Sequence, residues 1–134
     1  MSPHILVADD HPGSRSALAA VLAAPGWNVE LVESGRAALE RLLQDAWDLS
    51  LLDMYMPELT GLEVLSQVRQ CGRRVPSILM SGNPSRRLEA AALEAGAAAL
   101  LRKPIPAEVL RLTVQAVLQR NGGRPPGPPG ARTG

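Results

Sequence analysis

Short apolar runs recur along the chain, and between them the apolar residues fall at helical spacing. Ile5 to Ala8 reads as a strand that ends in Asp9 and Asp10. Pro12, Gly13 and Ser14 punctuate the turn after it, and Leu18, Val21 and Leu22 carry the i, i+3, i+4 spacing of a first helix closed by Pro25 and Gly26. Val29 to Val32 mixes polar and apolar residues, the pattern of an edge strand. Ser34 has the chemistry of an N-cap, and Ala38, Leu39, Leu42 and Leu43 form the apolar stripe of a second helix. Leu49 to Leu52 is almost uniformly apolar, as in a parallel strand covered on both faces, and Asp53 falls where it runs out. Pro57 and Gly61 then bend the chain into a defined loop. The third helix spans Leu62 to Gln70 with a stripe of Leu62, Leu65 and Val68 or Arg69, and Gly72 stands just past its end.

Ser77 to Met80 is a fourth strand, followed by Ser81 and Gly82; Asn83, Pro84 and Ser85 offer a cap for a fourth helix, Leu88 to Ala95, that Gly96 stops. Ala98 to Leu101 is the fifth strand and leads into Arg102, Lys103 and Pro104. A last helix runs from about Pro106 to Gln119. Leu110, Val114, Val117 and Leu118 face the sheet from it, and Val109, Leu112 and Ala116 form a second stripe on an adjoining face. Five strands alternating with five helices predict an α/β fold with right-handed crossovers. The common solution is the flavodoxin-like, doubly wound five-stranded parallel sheet of order 2-1-3-4-5, which puts the mixed second strand at an edge. The pattern predicts one domain over residues 1–120. Residues 121–134, Pro- and Gly-rich, read as a disordered tail or linker.

At 46% hydrophobic residues the chain can fill a core, and with no Phe, two Trp and one Tyr that core is aliphatic. Fourteen basic and 13 acidic side chains leave a formal charge of +1, which makes no electrostatic case for nucleic acid or membrane as the main partner. The single cysteine, Cys71, excludes an internal disulfide and reads as a packing residue near a helix end. His4 and His11 read as surface residues, Trp27 and Trp47 as packing, and Arg73-Arg74 and Arg86-Arg87 as solvated pairs. The apolar run at the N-terminus is too short for a signal peptide or a span, so the expected compartment is the cytoplasm.

The predicted strand order makes the first and third strands neighbours, roughly 4.8 Å apart. It therefore brings Asp9 and Asp10 beside Asp53 at the switch point, where ligands collect in open α/β sheets. Ser81 and Lys103 arrive from the ends of strands four and five. Three like charges held so close call for a cation, and a hard divalent ion such as Mg²⁺ suits oxygen ligands and phosphate oxygens. Lys103 adds a point charge and Ser81 a hydroxyl donor. These are the parts of a phosphoryl-transfer site in which an Asp carboxylate can be the covalent acceptor.

Asp9-Asp10 after strand one, Asp53 with Pro57 and Gly61, Ser81-Gly82 after strand four and Lys103-Pro104 after strand five together resemble the signature of response-regulator receiver domains over residues 4 to about 120. The resemblance implies that Asp53 accepts phosphate from a sensor histidine kinase or a histidine phosphotransfer protein. It implies Mg²⁺ bound directly by Asp10, through water by Asp9, and by the backbone carbonyl of Tyr55 beside Asp53. Ser81 and Lys103 would contact the phosphoryl group, and Lys103-Pro104 is a candidate cis bond. The second stripe of helix five, with the small-residue surface of helix four, is expected to make helix four, strand five and helix five a docking surface for a downstream protein or a second copy. This chain departs from the family at Leu100 and Ile105, where aromatics are usual.

Taken singly, Asp9-Asp10 reads as a solvated turn, Ser81-Gly82 as a simple turn, Lys103-Pro104 as a solvated helix entry and Asp53 as a cap of the following loop; jointly, at neighbouring strand ends, they do not. Two other readings stay open. One is a receiver-like binding domain that phosphorylation does not regulate. The other is an aspartate-nucleophile phosphatase of the haloacid-dehalogenase kind, which wants a second acid where Tyr55 stands. As a phosphoacceptor receiver domain the chain is expected not to be an enzyme beyond the chemistry on its own aspartate.

Overall fold

Leu49 to Leu52 cannot face water on either side, and the strand they build, β3 (Leu49–Asp53), is buried at all five positions. The computed structural model describes residues 2–122. In chain order the other elements are β1 (His4–Ala8), α1 (Pro12–Ala23), β2 (Asn28–Val32), α2 (Gly35–Gln44), α3 (Gly61–Gln70), β4 (Ser77–Ser81), α4 (Arg86–Glu94), β5 (Ala99–Arg102) and α5 (Ala107–Gly122). All strand pairs are parallel and the order is β2-β1-β3-β4-β5. The mixed strand β2 lies at an edge, as its polar positions require.

Alternation along the buried strands divides the core into two layers. Ile5, Val7, Leu49, Leu51, Ile78 and Met80 point to one face, where Leu18 and Leu22 of α1 and Leu110, Val114 and Val117 of α5 cover them. Leu6, Ala8, Leu52 and Leu79 point to the other, under Ala38, Leu42, Val64, Leu65, Val68 and Ala92 of α2, α3 and α4. Each large side chain among them contributes about 1.5–3 kcal/mol through the apolar surface it withdraws from water. One polar pair interrupts the second layer. The Ser77 hydroxyl donates to the carbonyl of Val75 at 2.9 Å, so the 2.6 Å contact between Ser50 Oγ and Ser77 Oγ has Ser50 as its donor.

Several expectations need correction. The buried face of α3 includes Gly61 and Val64 beside Leu65 and Val68; Leu62 packs half-buried against the same layer, and Arg69 is exposed. Thr60 is the N-cap and closes a capping box with Glu63, which places the helix start one residue earlier, at Gly61. Leu43 is exposed on α2. Cys71 is an exposed C-cap rather than a packing residue. Arg73 is not merely solvated, since its guanidinium donates to the carbonyls of Leu43 and Asp45 at the end of α2. Helix α5 continues to Gly122, and residues 123–134 lie outside the described residues.

Candidate functional site

Register fixes where the chemistry meets. Ala8 pairs with Leu52, which brings Asp9 level with Asp53, and Asp53 itself pairs with Met80. Ser81 pairs with Arg102, so Lys103 emerges beside Ser81, and its backbone amide donates to the Ser81 carbonyl at 2.9 Å. The loop after Asp53 is held down by Gly61. Its amide donates to the Met54 carbonyl at 2.9 Å, and a Cβ there would lie 2.6 Å from the carbonyl oxygen of Asp53. A side chain at Gly61 would push the loop off the strand that carries the carboxylate. Gly35 seats the same loop on α2, because a Cβ there would sit 2.1 Å from the Leu59 carbonyl oxygen.

Asp9, Asp10 and Asp53 converge, with one oxygen of each within 4.8 Å of the others. Lys103 bridges two of them: Nζ donates to Asp9 Oδ2 at 2.9 Å and to Asp53 Oδ2 at 3.4 Å. Asp9 is buried and accepts three hydrogen bonds. Oδ1 accepts the His11 amide at 2.9 Å, and Oδ2 accepts the Ser14 hydroxyl at 2.6 Å together with Lys103. Arg15 donates to the Asp9 carbonyl at 2.8 Å. Among the described residues, Asp53 takes only the long bond from Lys103. Asp10 is exposed.

The electrostatics reflect this division. Burial pushes the Asp9 carboxyl up, but the Ser14 hydroxyl, Lys103 and the His11 amide outweigh it, and the net shift is downward. For Asp53 burial again dominates and the result is upward: Lys103 opposes it by charge, while Asp9 and Asp10 reinforce it. Lys103 is raised, since its bonds and charge pairing with Asp9 and Asp53 overcome its own burial. Asp9 is thus a committed anion, and Asp53 is an under-satisfied one.

The family model for the response regulator receiver domain matches residues 5–115. The chain belongs to this family. Among curated relatives, the response regulator MprA of Mycolicibacterium vanbaalenii is 38% identical over 120 residues, 90% of this chain and 52% of that protein. MprA of Mycobacterium ulcerans is 39% identical with the same coverage. The chain therefore spans about half the length of these relatives. Among solved structures, the receiver domain of NarL from Mycobacterium tuberculosis is 31% identical with a TM-score of 0.80, covering 92% of this chain and 98% of that one. A CheY-like receiver domain from Methanospirillum hungatei gives a TM-score of 0.86 at 23% identity, over 92% and 98% of the two chains, and supports the fold alone. The chain is a receiver domain of the two-component response-regulator kind, and its sheet order is that of the CheY-like fold.

Within the receiver domain, the structure brings together four of the residues singled out from sequence: Asp9, Asp10, Asp53 and Lys103. Ser81 is buried at the end of β4, where its Oγ accepts the Asn83 amide at 3.1 Å; that bond does not use the hydroxyl proton. Tyr55 lies in the loop two residues past Asp53 and is 63% exposed. The Lys103-Pro104 bond is cis. Sequence reasoning missed the residues that hold Asp9. His11 also caps α1, its Nδ1 accepting the Ser14 amide at 3.1 Å. The signal was present as a polar residue five positions after Asp9, but its meaning depends on the first turn of α1 folding back over the strand end.

Proposed function

We propose that Asp53 accepts a phosphoryl group from a phosphohistidine on a sensor histidine kinase or a phosphotransfer protein, and that the aspartyl phosphate switches the surface that docks downstream partners. A carboxylate oxygen of Asp53 forms the new P–O bond, the P–N bond to the donor imidazole breaks, and the electron pair returns to the imidazole nitrogen. The observation that carries this reading is the unequal satisfaction of the two buried acids: Asp53 keeps free lone pairs while Asp9 has spent three. Lys103 lies between them and can move its ammonium from Asp53 to a phosphoryl oxygen while staying anchored on Asp9. The Ser81 hydroxyl proton supplies a second donor from the neighbouring strand end.

The three carboxylates fit a hard divalent cation such as Mg²⁺ by donor type and spacing. Asp10 and Asp53 would hold it directly, with the Tyr55 carbonyl, and Asp9 through water. When bound, Mg²⁺ neutralises charge on the transferring phosphoryl oxygens. The chain's chemistry is confined to its own aspartate. Its partner surface combines α4, β5 and α5, where Leu93, Val109 and Leu112 are 78%, 44% and 55% exposed. Leu100 of β5 packs half-buried against the α4 side of the core, so coupling through this position rests on an aliphatic rotamer rather than a ring. No helix of the described residues is long and apolar enough to cross a membrane, in keeping with action in the cytoplasm.

The test is intact-mass measurement after incubation with acetyl phosphate and Mg²⁺. The wild type should gain one phosphoryl group, and Asp53→Asn none. Equal labelling of the variant would remove Asp53 from the acceptor role.

A further inference from the structure

The amino ends of β2, β1 and β3 open into a groove of about 950 Å³, within the size range of small-molecule sites. Asp53 is at the other end of the same strands. At about 3.3 Å of rise per residue, β3 puts roughly 16 Å between this groove and the carboxylate cluster. Both of the chain's tryptophans line the groove, Trp27 just before β2 and Trp47 just before β3. They are not equivalent. Trp47 is 8% exposed, and its Nε1 donates to the Arg41 carbonyl at 2.9 Å. The Arg41 guanidinium lies 5.6 Å over its ring, and His4 meets it edge-on at 6.3 Å. Trp47 is thus committed within the protein. Trp27 is half-buried, yet among the described residues its ring meets no other ring or cation and its Nε1 has no hydrogen-bond partner. It is an aromatic wall with its interactions unspent.

Asp48 supplies the charge. It is exposed, its Oδ2 accepts the His4 amide at 2.8 Å, and among the described residues it forms no ion pair. That bond draws the carboxylate from β3 across to β1. His4 is level with Asn28 of β2, so about one strand spacing, roughly 4.8 Å, separates the carboxylate from the strand that Trp27 leads into. Gln115 and Gln119, one turn apart on α5, face the groove with side-chain amides that make no hydrogen bond among the described residues. The lining holds one carboxylate and neither lysine nor arginine. An anion there would meet Asp48 unopposed, and a neutral apolar ligand would strip water from the carboxylate without replacing its partners. An inorganic cation would leave Trp27 uncovered. A ligand with a ring for Trp27 and an ammonium on a short alkyl arm for Asp48 uses both, and the glutamine oxygens accept the remaining ammonium hydrogens.

We propose that this groove binds a small aromatic amine, its ring against Trp27 and its ammonium paired with Asp48. The test titrates the whole chain at neutral pH with phenethylamine, with phenethyl alcohol, which keeps the ring without the charge, and with butylamine, which keeps the charge without the ring. The two indole N–H resonances are followed by heteronuclear NMR, assigned through Trp27→Phe. Phenethylamine should shift the Trp27 indole saturably, leave the Trp47 indole close to its place, and bind about fivefold more tightly than the alcohol. Asp48→Asn keeps an acceptor for the His4 amide and should remove that advantage. The variant should still take one phosphoryl group from acetyl phosphate, as the wild type does, because the groove and Asp53 lie at opposite ends of β3. An unmoved Trp27 indole overturns the proposal. So does an advantage of the amine over the alcohol that survives Asp48→Asn, or butylamine that binds as tightly as phenethylamine.

Discussion

Removing the charge of Asp53 should stabilise the metal-free protein. One oxygen each of Asp9, Asp10 and Asp53 lies within 4.8 Å of the others, and Lys103 is 3.4 Å from Asp53. At an effective dielectric constant of about 20, unit charges at 4.8 Å repel by about 3.5 kcal/mol and unit charges at 3.4 Å attract by about 4.9 kcal/mol. Two repulsions against one attraction leave the Asp53 charge unfavourable by about 2 kcal/mol. Water around the exposed Asp10 screens its share and brings the figure to about 1 kcal/mol. Asp53→Asn keeps the shape and an acceptor for Lys103 but loses the charge. For a domain of this size about 1 kcal/mol corresponds to about 3–6 °C in Tm. The pH dependence has a definite sign. Asp53 is shifted upward in the folded state, so its contribution to stability is present below its unfolded pKa and is lost as pH rises through its folded pKa. The advantage of the Asn variant should therefore be present at neutral pH and shrink as pH falls through that folded value. Mg²⁺ should also shrink it, by binding the folded wild type. The assay is thermal melting by circular dichroism in EDTA at low ionic strength, at neutral and acid pH. An Asn variant that melts at or below wild type in EDTA at neutral pH refutes the reasoning.

Two more outcomes rest on hydrogen bonds of the same strands. Asp10→Ala should weaken Mg²⁺ more than Asp9→Ala in a calorimetric titration, because the Asp9 oxygens are already occupied by Ser14, His11 and Lys103; equal losses would show that both acids ligate alike. In urea unfolding, Ser77→Ala should cost about 1–3 kcal/mol, since it leaves the Ser50 hydroxyl buried without an acceptor, whereas Ser50→Ala should cost about 0.5–1.5 kcal/mol. The reverse order would mean that the donor direction assigned to this pair is wrong.

Much of the receiver fold was legible in the chain itself. The uniform apolarity of Leu49 to Leu52 marks a strand buried on both faces, the mixed residues of Val29 to Val32 mark an edge, and right-handed crossovers leave few ways to join five such strands. Strand order and strand ends then sufficed to gather Asp9, Asp10, Asp53 and Lys103, because parallel register converts positions along the sequence into neighbours in space. The relative standing of the two buried acids was not legible. Asp9 and Asp53 are the same residue type at equivalent strand ends, and only the turn into α1, which carries the His11 amide and the Ser14 hydroxyl back over β1, leaves one largely occupied and the other available. The α3 stripe is wider than its spacing suggested for a similar reason: once the helix starts at the Thr60 and Glu63 capping box, Val64 joins Leu65 and Val68 in the core and Leu62 packs half-buried at the margin of the same layer. Local patterns specify which residues are apolar and where chains turn, whereas the direction in which His11 and Ser14 point, and the arrival of Lys103 from β5, exist only after the backbone has closed, and the reactivity of Asp53 is decided by those.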